Sequence, residues 1–259
     1  MKFSNFAITS LWGHDGLRPA DIGDRIERTL SAVSDLSPAM DNWVVLDRVH
    51  ERAVPLADAR SGWECFVERN IWKDDWGRPS PDSGYLTVIQ GSEEPTDVGA
   101  ANTVQFVLTA GSKFSNNVEF EVGQPNLPVD PQITTYPIYL GVVRALAMVW
   151  PCPWVMARFY SYKGRKAGLD QERRTPFDMS WIAYLSAPFA EGLRLPADLG
   201  VQQTPGGGLI ISAVETLIDE ANADHLRRSK LLQRILSDRV GQDTLLFRPI
   251  VHAARQGRC

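Results

Sequence analysis

The side chains best equipped for chemistry in this chain are His14, His50, His225 and His252, the thiols of Cys65, Cys152 and Cys259, and the carboxylates between Asp74 and Asp97. His14-Asp15 has the order of a hydrolytic metal pair, but such a centre needs further His and Asp ligands. The other histidines show no ligand spacing, so Gly13-His14-Asp15-Gly16 reads as a turn and no metal site is expected. His225 falls on an apolar helical face with Asn222 close by. It is a candidate general base or a hydrogen-bonded core residue, and the lack of a recognisable nucleophile favours the core. Cys152, in Trp150-Pro151-Cys152-Pro153-Trp154, could be a reactive thiol at a bend. Flanking prolines and tryptophans more often make a packed turn.

Other patterns are missing. Gly206-Gly207-Gly208 precedes a strand instead of joining strand to helix, so it is not a phosphate loop and implies no nucleotide cofactor. A metal-dependent nuclease strand would place an acid two residues before a lysine. Ahead of Lys73, Lys113, Lys163, Lys166 and Lys230 stand Ile71, Gly111, Ser161, Gly164 and Arg228 instead.

One charge feature survives. Asp74, Asp75, Asp82, Glu93, Glu94 and Asp97 face Arg78 as the only base in their interval, with Trp72 and Trp76 adjoining. Glu119 and Glu121 would extend an anionic surface if they lie on the same side. Aromatic anchors beside charge are typical of protein interfaces, although a solvated loop also has this composition. The formal net charge of −4 gives no support for nucleic-acid binding through a basic surface.

The elements that must position these residues follow from hydrophobic period. Phe3–Trp12 reads as a strand. A helix follows Pro19 with Ile22, Ile26, Leu30 and Val33 on one face, running to Leu36 before Pro38. Trp43–Leu46 is a short strand, and Leu56, Ala59, Trp63, Phe66, Val67 and Asn70 share one helical face with Cys65 pointing away. Tyr85–Ile89, Thr103–Leu108 and Val118–Val122 are strands. In the last, Val118, Phe120 and Val122 face one side and Glu119 and Glu121 the other, the alternation of a strand buried on one side. Tyr136–Val149 is a helix apolar on most sides, ended by Pro151. Strands at Trp154–Tyr162 and Asp178–Leu185 flank a charged loop, 163–174. The glycine turn then leads through a strand into a helix read from Val214 to Leu236. Strands and about four helices without regular βα alternation predict an α+β fold, mostly antiparallel sheet packed with helices. Residues 1–240 are expected to form one domain and 241–259 a tail.

The chain carries no signal-peptide pattern, and its most apolar segment, Tyr136–Trp150, contains Arg144 and is too short to span a bilayer. The three widely spaced cysteines suit a reducing cytoplasm.

Several ordered pieces resemble one family. They are the strand ending Leu11-Trp12-Gly13, the helix Ile22–Leu36, Pro38 with Trp43 after it, and Gly207-Gly208-Leu209-Ile210-Ile211 leading into the helix with Asn222 and His225. Over roughly residues 3–238 the chain resembles the immunity protein 52 family of bacterial polymorphic-toxin systems. The resemblance implies a cytoplasmic, non-enzymatic antitoxin without cofactor, acting in bacterial competition and type VI secretion. Its partner would be a toxin domain of the restriction-endonuclease-like nuclease class. The surface then expected to meet that toxin contains Asp74, Asp75, Trp76, Glu93, Glu94, Asp97, Glu119 and Glu121. A hydrolase using His225 or Cys152 in a cleft, and a structural adaptor of a secretion apparatus, are the alternatives.

Overall fold

The computed structural model of the chain describes residues 4–13, 16–47, 52–92, 103–122, 131–161, 180–219 and 221–240. Its strands are β1 (Ser4–Trp12), β2 (Asn42–Asp47), β3 (Arg52–Pro55), β4 (Tyr85–Ser92), β5 (Val104–Ala110), β6 (Asn116–Val122), β7 (Trp154–Ser161), β8 (Ser180–Leu185), β9 (Gly200–Gln203) and β10 (Leu209–Ser212). They form one sheet in the order β3-β2-β4-β5-β6-β1-β7-β8-β10-β9, every pairing antiparallel. The helices are α1 (Pro19–Val33), α2 (Leu56–Arg60), α3 (Trp63–Arg69), α4 (Tyr136–Val149), α5 (Ala187–Ala190) and α6 (Ala223–Val240). The fold is α+β, as expected from the unordered succession of strands and helices. No described helix is long and apolar enough to cross a membrane.

The first strand occupies the middle of the sheet, between β6 and β7. One face of the sheet is buried along its length. Phe106 and Phe120 lie 5.0 Å apart by ring centroid, Tyr139 and Trp181 5.2 Å, and Phe6 and Trp181 5.5 Å. These contacts tie α4 to strands on both sides of β1. α1 packs beside α4 and α3 beside α1. Pro19 starts α1, and the Asp21 carboxylate accepts the Arg18 backbone N–H at 3.3 Å. Gly23 lets α3 approach: a Cβ there would sit 2.6 Å from Trp63 Cβ. The Trp63 indole donates to Glu27 at 2.6 Å.

Among the described residues the second face is covered at one end only. Leu232, Leu236 and Val240 of α6 join a core with Trp154, Met156, Ala183, Leu185 and Ile211, from β7, β8 and β10. Ser229 is buried with them because its hydroxyl donates to Ser180 O at 2.8 Å. All of β8 is therefore buried. A bulge between Ala157 and Arg158 of β7 shifts the register, and Trp181 and Ile182 both enter the first core although they are consecutive.

Three boundaries differ from the sequence expectation. α1 ends at Val33 and two 3₁₀ turns, Ser34–Leu36 and Pro38–Met40, follow it. The single helical face from Leu56 to Asn70 is broken at Ser61-Gly62 into α2 and α3. The last helix begins at Ala223, not Val214. The carbonyls of Val214 and Thr216 accept the Trp181 indole N–H at 3.2 and 3.0 Å, which holds this segment against the sheet. Asn222 then caps α6, its Oδ1 accepting from Asp224 N and His225 N at 3.0 and 3.3 Å. The apolar period had run straight through this cap. Leu217 is exposed and Ile218 buried. The short edge strands β3 and β9 and the single-turn α5 had no clear signal.

Candidate functional site

Beyond β7, across β2, β4, β5, β6 and β1, no helix among the described residues packs on the second face. The strand register lays its side chains out in rows. The first row runs Gln90, Gln105, Glu121, Ala7, Arg158 from β4 to β7. The second runs Val88, Val107, Glu119, Thr9, Met156, and the third Leu86, Thr109, Asn117, Leu11, Trp154. All fifteen are half-buried except Ala7, Met156 and Trp154, which are buried. Side chains spaced at the sheet's own pitch shade one another even where nothing lies above them.

The centre of this surface is charged. Glu119 Oε1 accepts from Arg158 Nη2 and from Thr9 Oγ1, both at 3.4 Å. Ala7, between Glu121 and Arg158, leaves room for the longer side chains. Burial raises the Glu121 carboxyl above the ordinary carboxylate range and repulsion from Glu119 adds to this, while Arg158 offsets part of it. Among the described residues of this patch, Glu119 is paired with Arg158 while Glu121 feels that guanidinium only through space, which leaves an excess of negative charge. Alongside, Gln90 Nε2 donates to Gln105 Oε1 at 2.9 Å. The buried Gln90 Oε1 accepts nothing among the described residues and could take a donor from a partner.

The residues expected to form one acidic surface are divided. Asp74, Asp75 and Trp76 lie on a loop that meets the beginning of β4, where Trp72 N donates to Gly84 O at 2.9 Å. Glu119 and Glu121 lie on the open sheet face. Glu93, Glu94 and Asp97 lie outside the described residues, but Ser92, which precedes them, is at the opposite end of β4 from that loop. Glu121 stands near the Ser92 end, because Gly91 pairs with Val104 and Val104 with Val122. Asp74 serves the loop itself, accepting Trp76 N and Arg78 N on Oδ1, each at 2.9 Å. The backbone bond from Arg78 and the Arg78 side chain hold its carboxyl below the usual range.

No family model and no curated protein matches the chain.

Neither alternative catalytic residue is arranged as a nucleophile or a base. The Cys152 thiol is buried, donates to Leu146 O and Trp150 O at 3.6 and 3.4 Å, and is pushed up to about 12, chiefly by burial. His225 is half-exposed, not part of the core, and lines an open cleft of about 610 Å³ with Asp198, Glu215, Thr216, Asp224 and Arg228. Its Nδ1 accepts the Asp219 backbone N–H at 3.1 Å, so the neutral ring carries its proton on Nε2 and offers the cleft a donor. Asp198 and Asp224 are both paired with Arg227. Among the described residues no group of three or more His, Cys, Asp or Glu side chains is placed to hold a metal. His14-Asp15, the loop 163–174 and the tail 241–259 fall outside them.

The sequence reading missed Thr9, Gln90, Gln105 and Arg158 as companions of the two glutamates. Alternation alone puts each on some face of its strand. Only the strand order brings them into neighbouring rows.

Proposed function

We propose that the chain is an immunity protein, binding and neutralising a nuclease toxin in the cytoplasm of the cell that makes it. The observation that carries this reading is the sheet face that the described helices leave uncovered, with Glu119 bonded to Arg158, Glu121 in the neighbouring row and half-buried apolar side chains around them. A nuclease holds a polyanion in a basic groove, and an inhibitor gains association rate and specificity by presenting carboxylates to that groove. The rigid sheet supplies a preformed surface, which lowers the ordering cost of binding. The resemblance of the Leu11-Trp12-Gly13 strand and the Asn222–His225 helix start to the immunity protein 52 family supports the same reading. The engagement of the Cys152 thiol and of His225 Nδ1 counts against the hydrolase alternative.

The test is co-expression with the toxin domain encoded beside this gene, together with titration of the purified pair. An inhibitor protects up to equimolar toxin and no further, whereas an enzyme protects at trace amounts. The double variant Glu119→Lys, Glu121→Lys should slow association about tenfold or more at low salt, and should lose the wild-type decline of the rate with ionic strength. Protection at strongly substoichiometric protein, or no protection at all, overturns the proposal. Binding to secretion components without rescue would favour the adaptor.

A further inference from the structure

Trp76 is 78% exposed and Phe114 52%, and both stand at the same end of the sheet. The loop holding Trp76 is bonded to itself throughout. Asp74 N donates to Arg78 O and Gly77 N to Asp74 O, each at 2.9 Å, while Asp74 Oδ2 accepts Arg78 Nε at 2.8 Å. Gly77 adopts φ +76°, which completes the tight turn. Ser80 N donates to Trp72 O at 2.7 Å and closes the stem. The Arg78 guanidinium lies 4.9 Å from the centre of the Trp76 ring, so one face of the indole is covered by a cation and the rest points to solvent. Phe114 sits on the β5–β6 turn, which is fastened to the same loop. There Lys113 N donates to Asp82 O at 2.9 Å, and Lys113 Nζ pairs with the Asp82 carboxylate at 2.8 Å.

These hydrogen bonds fix the turn with the ring outward, so little of the loop is left to order on binding. The charges around it balance, with Lys73, Arg78 and Lys113 against Asp74, Asp75 and Asp82. A polyanion or an anionic bilayer would call for a net basic patch. A protein pocket calls for an aromatic anchor of limited conformational freedom with mixed polar surroundings.

We propose that this end of the sheet is the anchoring part of the toxin interface, with Trp76 inserted in an apolar pocket of the partner and Phe114 beside it. This inference rests on the immunity reading. Phe114 lies on the turn two residues before β6 begins at Asn116, and Glu119 is three residues into that strand, so they are at most about 17 Å apart and a contact area of about 800 Å² per partner can include both. Carboxylates on the face would then govern encounter, and the indole would govern residence.

The test is the kinetics of binding to the same toxin domain. Trp76→Ala should speed dissociation about thirtyfold or more and change association less than about threefold, with an unchanged thermal melt because the side chain is exposed. Trp76→Phe should recover part of the loss. Asp74→Ala, which keeps the indole but frees its turn, should weaken binding by a smaller factor. Wild-type binding with an unaltered dissociation rate for Trp76→Ala overturns this inference and leaves the immunity reading standing. Failure of the wild type to bind the toxin overturns both. Binding to oligothymidine or to phosphatidylglycerol vesicles that Trp76→Ala abolishes would also overturn the assignment to a protein partner.

Discussion

β6 and β8 belong to the same sheet and lie three places apart, yet they are buried in different ways. From Asn116 to Val122 burial alternates residue by residue, while every residue from Ser180 to Leu185 is buried. The difference comes from what lies above each strand. α6 packs its Leu232, Leu236 and Val240 over β7, β8 and β10 and closes the second face there. Over β6 nothing described takes that place, so Glu119 and Glu121 can remain there as half-solvated carboxylates. Among the described residues, one half of the sheet is packed on both faces and the other on one.

The largest effect that could break this contrast is in the covered half. Leu232 of α6 is fully buried in the core that this helix forms with β7, β8 and β10. Leu232→Ala should therefore lower the unfolding free energy by about 3 kcal/mol in urea titration. Val107→Ala on the open face should cost under about 1 kcal/mol. Similar losses at the two sites would mean that the open half is also packed against something.

A middle-sized effect tests how α6 is placed. Asn222 satisfies two N–H groups at the start of that helix, and Asn222→Ala should cost about 1 kcal/mol. Hydrogen exchange should show faster opening at Asp224 and His225 before the strands respond. Protection that falls uniformly through the helix would put its start elsewhere.

The smallest effect sharpens the comparison on the open side. Burial and Glu119 raise the folded-state carboxyl of Glu121 above its unfolded value. The contribution of the protonated group is then complete below the unfolded carboxylate range and is lost as pH rises through the folded value. At neutral pH the ionised side chain opposes folding slightly. Glu121→Gln should therefore stabilise the protein at pH 7, by no more than about 0.5 kcal/mol because solvent screens a carboxylate this exposed. The gain should disappear below about pH 4, where the wild-type group is itself neutral. A destabilised variant at pH 7 would mean that Arg158 outweighs burial.

Much of the frame was legible in the chain. The alternation of Val118, Glu119, Phe120, Glu121 and Val122 announced a strand with one wet face, and that face is wet. The run Tyr136–Val149, apolar on most sides, announced a helix, and α4 lies on the aromatic core. Both patterns are local and repeat over several residues, so a period identifies them. The last helix was misread because its apolar spacing continued upstream, while the residues that set its start act across the fold. Trp181 is more than thirty residues from the carbonyls it holds. The cap at Asn222 is a single side chain that period counting does not register.

The candidate surface divides in the same way. Its charged residue types could be named from the chain, because acid runs and exposed aromatics are visible in composition. Their grouping could not. Asp74 and Asp75 were grouped with Glu119 and Glu121 by closeness of charge, whereas the sheet puts the former pair at the loop end of β4 and the latter on the face of β6.

The sequence by itself determined which residues share a face in elements such as β6 and α1, because side-chain direction follows the backbone repeat. Only the tertiary structure decided the strand order, the end of the sheet that α6 covers, and the row joining Gln90, Gln105, Glu121 and Arg158. Those outcomes depend on contacts between residues distant in the chain, such as β1 entering between β6 and β7, and no local pattern encodes them.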